Sequence, residues 1–481
     1  MRRPSGDVLL LFILLIARAR IDTLAEWATL PTATLQTDVA RLVGSWWPAA
    51  GLKLLADRQT SDPVTLTLVS LALGLFLVYL GVDALGGHLG PAVLQRVKLT
   101  LAGAIILVLV GGQTGLYIGL RHISGPAAYT HDGGVIQTEV TIQYLLAGVN
   151  PYAADYVNTP MAAWGTEYRT ALYHYPYLPW TFLFSAPFYL LSNLAWGWFD
   201  QRFVYLLLFA ATLYMAVKLA GSPGQQLATL LVLGLNPILA SDVIFGQNDS
   251  FVLFWIVLGV LLLRWAERRR PGAGWPAFAP AMIAFGLACA SKPTAWFLMP
   301  FVALYLVRRD AAGLPSRRGW VAAAGGWLRR SWPWLATFVL VVGPWFAWDP
   351  AALADDVWRW SAGTSATPYQ IRGWGLSNFV LAWGLVADRL AYWPFWIVEV
   401  LLGGPLLAAL LWQQWRANQL SRALYGYVVL LFGFFYVSRF LNENYLGYLL
   451  SLIALAAGLS PPAGGMPAGA EPAPAATPHS K

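Results

Sequence analysis

A single cysteine, Cys289, stands in 481 residues, and it lies inside an apolar run. No disulfide can form within the chain, and a cysteine-built metal site is excluded. Five histidines show no metal-ligand spacing, so no protein-bound metal is expected. Charge is also scarce, at 11% Asp, Glu, Lys and Arg, where soluble domains carry roughly a quarter. The chain has neither a Walker A loop nor a G-x-G-x-x-G turn, which removes the usual nucleotide-binding signatures. Its net charge of +8 is spread over short loops rather than gathered in a patch. That argues against nucleic acid as a partner and reads as an orientation signal.

Apolar residues take the place of charge. They make up 58% of the chain, and mean hydropathy is +0.56. The runs are continuous, not alternating, so they predict membrane-spanning helices rather than a β-barrel. The expected fold class is all-α and polytopic, with eleven to thirteen transmembrane helices and additional outer-leaflet interfacial helices. Spans are expected near 63–82, 97–120, 203–220, 226–241, 250–265, 277–291, 294–307, 333–348, 393–413, 423–438 and 445–460. Many of the 25 tryptophans flank these runs, where indole rings favour the interface.

Residues 1–62 form an N-terminal segment. It opens with Arg2 and Arg3 before a short apolar core, a pattern that fits either a signal peptide or a first span. Residues 63–460 form the membrane domain, with a long loop over 121–202. The tail 461–481 is rich in Pro, Ala and Gly and is expected to be disordered.

Arginines set the expected sidedness. Arg264, Arg268, Arg269 and Arg270 follow one span; Arg308, Arg309, Arg317, Arg318, Arg329 and Arg330 fill another loop; Arg416 and Arg422 lie in a third. All three loops face the cytoplasm only if the apolar stretches 176–193 and 376–390 do not cross. The polar turns near 121–175, 245–249, 291–293, 349–375 and 438–444 then share the extracytoplasmic side of a cell membrane.

Those turns hold the candidate chemistry. Asp132, beside His131, precedes Glu139 by seven residues, two helical turns, and Gln143 extends the same stripe. Asp132 either caps a helix or serves as a general base, and Glu139 is expected beside it as a catalytic residue. Gln247, Asn248 and Asp249 open another span; they cap it or hold a hydroxyl-rich ligand, since amides both donate and accept. Lys292, between Ser291 and Pro293, either snorkels or binds a lipid phosphate. Arg439 precedes Asn442, Glu443, Asn444 and Tyr445. An arginine at membrane depth costs ~2.5–3.5 kcal/mol on insertion scales, so it pairs with Glu443 at i,i+4 or grips a phosphate. The aromatic stretch from Tyr173 to Trp180 suits an interfacial belt, a sugar platform or a lipid guide. Asp355, Asp356, Trp358, Arg359, Trp360 and Arg372 suit a lid on the acceptor side.

In order and spacing these motifs resemble the GT-C superfamily of integral membrane glycosyltransferases, and within it the bacterial polyprenyl-phosphate-sugar-dependent, mannosyltransferase-like families. The matching residues are His131-Asp132, Glu139, Gly148 through Tyr152, Tyr175 through Pro179, Gly246 through Asp249, Ser291 through Pro293 and Arg439 through Tyr445. The resemblance covers about 97–460. It implies inverting transfer of a mannose-like hexose or a pentose from a polyprenyl-phosphate donor to a glycan, lipid or protein acceptor, with Asp132 as base and membrane lipid as surroundings. Lys292 and Arg439 would hold the donor phosphate, and His131, Gln247, Asn248, Asp249, Asn442, Glu443, Asn444 and Tyr445 the sugar or acceptor. No cofactor is implied, and a divalent metal is left open. One departure is Asn442, where relatives often carry histidine. A transporter or lipid flippase is the main alternative; its polar groups would sit near the membrane midplane in paired repeats, and no repeat is evident. Another membrane transferase, such as a polymer ligase, and a non-catalytic scaffold complete the set.

Overall fold

The computed structural model describes residues 5–29, 34–56, 62–163, 169–269, 275–310 and 317–459. Within those stretches the side chains at 20–29, 56, 132, 269, 275, 309–310, 317–320 and 322–323 lie outside the description. The tail 461–481, Arg270 and the side chains of Arg309, Arg317 and Arg318 therefore fall outside it as well.

The described chain is almost wholly helical. Its N-terminal part runs α1 (Gly6–Thr29), α2 (Leu35–Val43), α3 (Ala49–Ala56), α4 (Pro63–Leu85), α5 (Pro91–Ile106) and α6 (Gln113–Ser124). A π-helical stretch, Leu107–Gly112, joins α5 to α6. Next come α7 (Thr138–Leu146), α8 (Trp180–Trp196), α9 (Arg202–Leu219), α10 (Pro223–Gly234), α11 (Leu239–Phe245), α12 (Asp249–Arg269) and α13 (Trp275–Cys289). The C-terminal part holds α14 (Met299–Asp310), α15 (Arg317–Trp348), α16 (Pro350–Ala354), α17 (Trp360–Ala362), α18 (Leu376–Ala382), α19 (Phe395–Arg416), α20 (Leu420–Val437) and α21 (Glu443–Leu459). Among the described residues, strand is limited to β1 (Arg372–Gly373) paired in parallel with β2 (Phe440–Leu441).

Helices satisfy their own backbone hydrogen bonds, so apolar runs of this length can enter lipid without stranded polar groups. Among the described residues, six helices are long and apolar enough to cross a membrane, and two bent pairs bring the number to eight. Three shorter apolar helices accompany them. All eleven expected spans fall on these helices. Of the two stretches expected not to cross, 176–193 largely coincides with α8, whereas 376–390 is helical only over α18.

Each bent pair has a local cause. Between α10 and α11 the axis turns by 47°. Pro237 has no N–H to continue the ladder, and the Asn236 side chain fills the break: its Oδ1 accepts from Ile238 N and Leu239 N, each at 3.1 Å, while Nδ2 donates to Gly447 O at 2.7 Å. The 116° bend after α15 falls at Asp349-Pro350. There the Asp349 carboxylate caps Ala351 N and Ala352 N at 3.1 and 2.9 Å.

Burial ranks the helices. In the apolar windows of α12 and α20, 67% and 61% of residues are buried, so these helices form the centre; α19, at 6%, shows nearly all of its surface to the surroundings. The N-terminal α1 is an integral part of the packing. Leu11 is fully buried. Buried Arg18 donates to Pro237 O at 3.0 Å and to Ser241 Oγ at 2.7 Å. Lys98 on α5 ties α1 to α4 by reaching Asp7 at 2.7 Å and Asp83 at 2.6 Å.

Candidate functional site

One cavity of about 1790 Å³ draws its walls from seven separated parts of the chain. Its polar wall carries His131, Gln247, Asn248, Lys292, Asn442 and Asn444; Trp396, Val400, Leu407, Leu430 and Phe434 supply an apolar wall along α19 and α20. Glycines do part of the shaping. Gly403 and Gly404, also on the wall, have open space where a Cβ would stand.

The Asp132 segment is fixed by its backbone. His131 N donates to Phe245 O at 2.8 Å, and a π-helical turn runs from Asp132 to Gln137. Gly134 then packs directly on Gly246: a Cβ at Gly134 would lie 1.9 Å from Gly246 O, a position no side chain can occupy. Tyr205 Oη donates to Gly134 O at 2.5 Å. Gln137 Nε2 donates to Ala171 O and His174 O at 2.9 and 2.6 Å. The side chain of Asp132 is outside the description, but its neighbours His131, Gly133 and Gly134 all line the cavity.

Glu139 is placed differently from the expected polar stripe. It does not line the cavity, and Gln143 is exposed. Arg121 grips Glu139 with two nitrogens at 2.9 and 2.7 Å and also reaches Asp200 at 2.9 Å. Asp200 in turn holds Arg202, which donates to Tyr129 O, Ile244 O and Tyr117 O. Burial alone would raise the Asp200 carboxyl, but the Arg202 and Arg121 guanidiniums hold it well below the usual carboxylate range. This four-residue network locks the long loop to α6, α9 and α11. Glu139 is thus a brace, and the catalytic role expected for it finds no support in its position.

Lys292 reaches the cavity at the break after α13. Leu178 N and Trp180 N donate to Ser291 O and Ala290 O, both at 3.0 Å, which docks the aromatic loop segment onto this break. Lys292 Nζ lies 2.5 Å from Asp249 Oδ1 and 3.3 Å from Asn248 Oδ1. The rings of Tyr177 and Tyr445 flank it at 5.8 and 5.2 Å. Asn444 Nδ2 donates to the other Asp249 oxygen. Asp249 does not line the cavity; it stands behind Lys292 and neutralises it.

Arg439 is committed to main chain. It donates to Tyr369 O at 2.6 Å, Ala391 O and Leu390 O at 3.0 Å, and Arg389 O at 3.4 Å. The expected pairing with Glu443 is not formed among these contacts. Gly363, at φ +81°, leaves the room: a Cβ there would be 2.3 Å from Arg439 Nη1. Arg439 thus ties the segments around 369 and 389–391 together, and β1 pairs with β2 beside it.

Of the positions expected to meet, His131, Gln247, Asn248, Lys292, Arg439, Asn442, Glu443, Asn444 and Tyr445 share the cavity wall; Glu139 and Asp249 do not. Two further cations, Arg372 and Arg389, lie exposed on the same wall as Lys292 and Arg439. Arg372 was read only as part of a lid, and nothing in the local sequence around Arg389 marks it. Ile371 N donates to Arg389 O at 2.7 Å, so the two residues are neighbours across the fold. Another unassigned feature is the Asn442 Oδ1 atom, buried with no hydrogen-bond partner among the described residues. His174, Asp355 and Asp356 converge just outside the wall and have metal-ligating chemistry among the described residues.

No family model, curated protein or solved structure matches this chain. Its functional reading therefore rests on the site alone.

Proposed function

We propose that the chain is a membrane glycosyltransferase that moves a sugar from a polyprenyl-phosphate donor to an acceptor hydroxyl, with inversion, on the extracytoplasmic face of the cell membrane. On this reading the six long helices, two bent pairs and three shorter apolar helices make eleven crossings. The observation that carries the proposal is the two-sided cavity: amides, a lysine and arginines continue into an aromatic and aliphatic wall on α19 and α20. A lipid-phosphate sugar has the same sequence of polarity. A small polar solute needs no apolar wall of this kind.

The roles follow from chemistry. Gln247, Asn248 and Asn444 offer paired donors and acceptors to sugar hydroxyls. Asn442 Oδ1 supplies an acceptor for another hydroxyl. Arg372 and Arg389, both exposed, offer guanidinium donors to the donor phosphate and stabilise the charge it keeps on leaving; one Arg389 nitrogen, Nη1, also donates to Ile371 O at 3.4 Å. Lys292, already neutralised by Asp249, serves better as a hydrogen-bond donor to the sugar than as a free phosphate cation. Asp132 takes the proton from the acceptor hydroxyl as the new glycosidic bond forms and the carbon–phosphate-oxygen bond breaks.

The test is turnover of labelled polyprenyl-phosphate sugars by the purified chain in detergent and in proteoliposomes. Transfer by the wild type and its loss in Asp132→Asn, with folding intact, is the expected result. Substantial activity in Asp132→Asn removes it as base. Movement of an unmodified solute or lipid without transfer replaces the enzyme with a transporter or flippase.

A further inference from the structure

We infer that His174, Asp355 and Asp356 form a binding site for one divalent transition-metal ion, of the zinc or manganese kind, that staples the loop 169–177 to the turn 355–367 above the cavity. His174 lies 181 positions before the adjacent Asp355 and Asp356, yet one donor atom from each lies within 4.8 Å of the others. His174 Nδ1 is 2.8 Å from Asp356 Oδ1 and 3.6 Å from Asp355 Oδ2. The side chains of His174 and Asp356 are 4% and 3% exposed, and that of Asp355 is 32% exposed. The site is therefore buried on two sides and open on the third, where ion and water can enter.

Charge asks for a cation, and one tautomer of His174 accommodates it. Two neighbouring carboxylates face one imidazole, and among the described residues no lysine or arginine forms an ion pair with either. His174 Nε2 lies 3.2 Å from Thr367 O and 2.6 Å from Thr367 Oγ1. Thr367 serves either tautomer, since its hydroxyl can donate to a bare Nε2 and its carbonyl can accept from Nε2–H. The Nε2–H form presents the Nδ1 lone pair to the two carboxylates, and a metal ion on Nδ1 would join all three.

The surroundings match the outer shell of such a site. A metal-bound histidine usually donates its other N–H to a carbonyl or carboxylate, which fixes the ring. Here Thr367 fills that place, and the Trp360 ring sits 5.7 Å from the imidazole. Tyr175 N holds the second oxygen of Asp356 at 2.8 Å. Ser365 Oγ donates to Asp355 at 2.9 Å. All three ligands are thus oriented by separate contacts. One nitrogen and two carboxylate oxygens suit zinc or manganese, with water completing the coordination. The ion acts on the architecture: Val357, Trp358, Trp360 and Ser361 of the stapled turn line the cavity, as does Tyr177 of the stapled loop.

The full chain, purified in detergent and stripped with chelator, is to be titrated with Zn²⁺ and separately with Mn²⁺. Metal content and thermal unfolding are the readouts, and neither depends on activity. We expect about one ion per chain and a raised Tm. Asp355→Asn, a partly exposed and mild change, should weaken binding at least ~10-fold, as should Thr367→Val through loss of ring orientation. His174→Gln with Asp356→Asn should abolish it. Absence of both stoichiometric metal and a Tm shift with either ion overturns the site. Uptake that is undiminished in Asp355→Asn and Thr367→Val overturns it equally, since the ion then sits elsewhere.

Discussion

Lys292 and Asp249, forty-three positions apart, form a buried ion pair with 2.5 Å between Nζ and Oδ1. The pair joins the break after α13 to the first turn of α12, and Asn444 on α21 completes it. Removing one charge from a buried pair costs ~3–5 kcal/mol, because the other is left uncompensated. Lys292→Met should therefore lower stability by that order, and Lys292→Met with Asp249→Asn should recover much of the loss. Thermal unfolding of the two singles and the double measures the coupling. Additive losses would show that the two residues do not act as a pair.

The two classes of arginine on the cavity wall should separate experimentally. Arg439→Lys strips several carbonyl contacts at once, and each unpaired buried acceptor costs ~1–3 kcal/mol, so its main effect should be a lower Tm. Arg372→Ala and Arg389→Ala remove exposed side chains. They should leave unfolding stability within about 1 kcal/mol of wild type and raise the donor KM roughly tenfold, the equivalent of ~1.4 kcal/mol. An unchanged donor KM in both alanine variants would return the phosphate to Lys292 or Arg439.

Glu139→Gln keeps the shape of the brace but loses its charge. Losing a charged bidentate contact costs ~1.5–3 kcal/mol, so unfolding should come earlier, while the pH profile of the remaining transfer stays that of the wild type. A lost or shifted profile at unchanged Tm would make Glu139 part of the proton chemistry. Asp200 contributes in the opposite pH direction from a buried neutral acid. Its folded value is depressed, so its stabilisation is present above the ordinary carboxylate range and disappears only as pH falls through the depressed value. The Asp200 contribution should be flat from about pH 5 to 8.

Gly134→Ala tests whether the backbone places Asp132. The added methyl collides with Gly246 O, a main-chain atom that cannot rotate away. We expect at least ~2 kcal/mol of destabilisation and transfer reduced far more than donor binding. A variant with wild-type Tm and turnover would mean that the 131–134 turn is not held as described.

Gly403→Leu and Gly404→Leu fill open space beside the apolar wall. A Cβ at either position meets nothing within 4 Å, so folding should be preserved. Donors with long polyprenyl chains should lose turnover, whereas short-chain donors keep it. Equal effects on both chain lengths would move the lipid tail off α19.

Much of the helical plan was legible in the chain. Each expected span coincides with a helix, because a long apolar run has few ways to satisfy its backbone in lipid. Several polar clusters were also read at the right positions: an amide or lysine at the end of an apolar run is conspicuous, and nine of the expected site residues reach one wall. Partnership was not legible. Arg121 sits in a helix 18 positions from Glu139 and 79 from Asp200, so no local pattern joins them. Arg439 reads as a phosphate ligand until its carbonyl acceptors, about 50 to 70 positions earlier, are seen. His174 shows no ligand spacing because its carboxylate partners lie 181 and 182 residues away.

The sequence by itself determined that this is a helical membrane protein, because hydropathy is a property of each run and needs no partner. It also marked where polar groups interrupt those runs. Only the tertiary structure decided what each charge does: Glu139 as brace, Arg439 as clamp, Lys292 as half of a pair, Arg372 and Arg389 as exposed donors. The reason is physical. A charge near lipid takes its role from whatever opposite group lies within a few ångströms, and that distance is set by the packing of helices remote from one another in the chain.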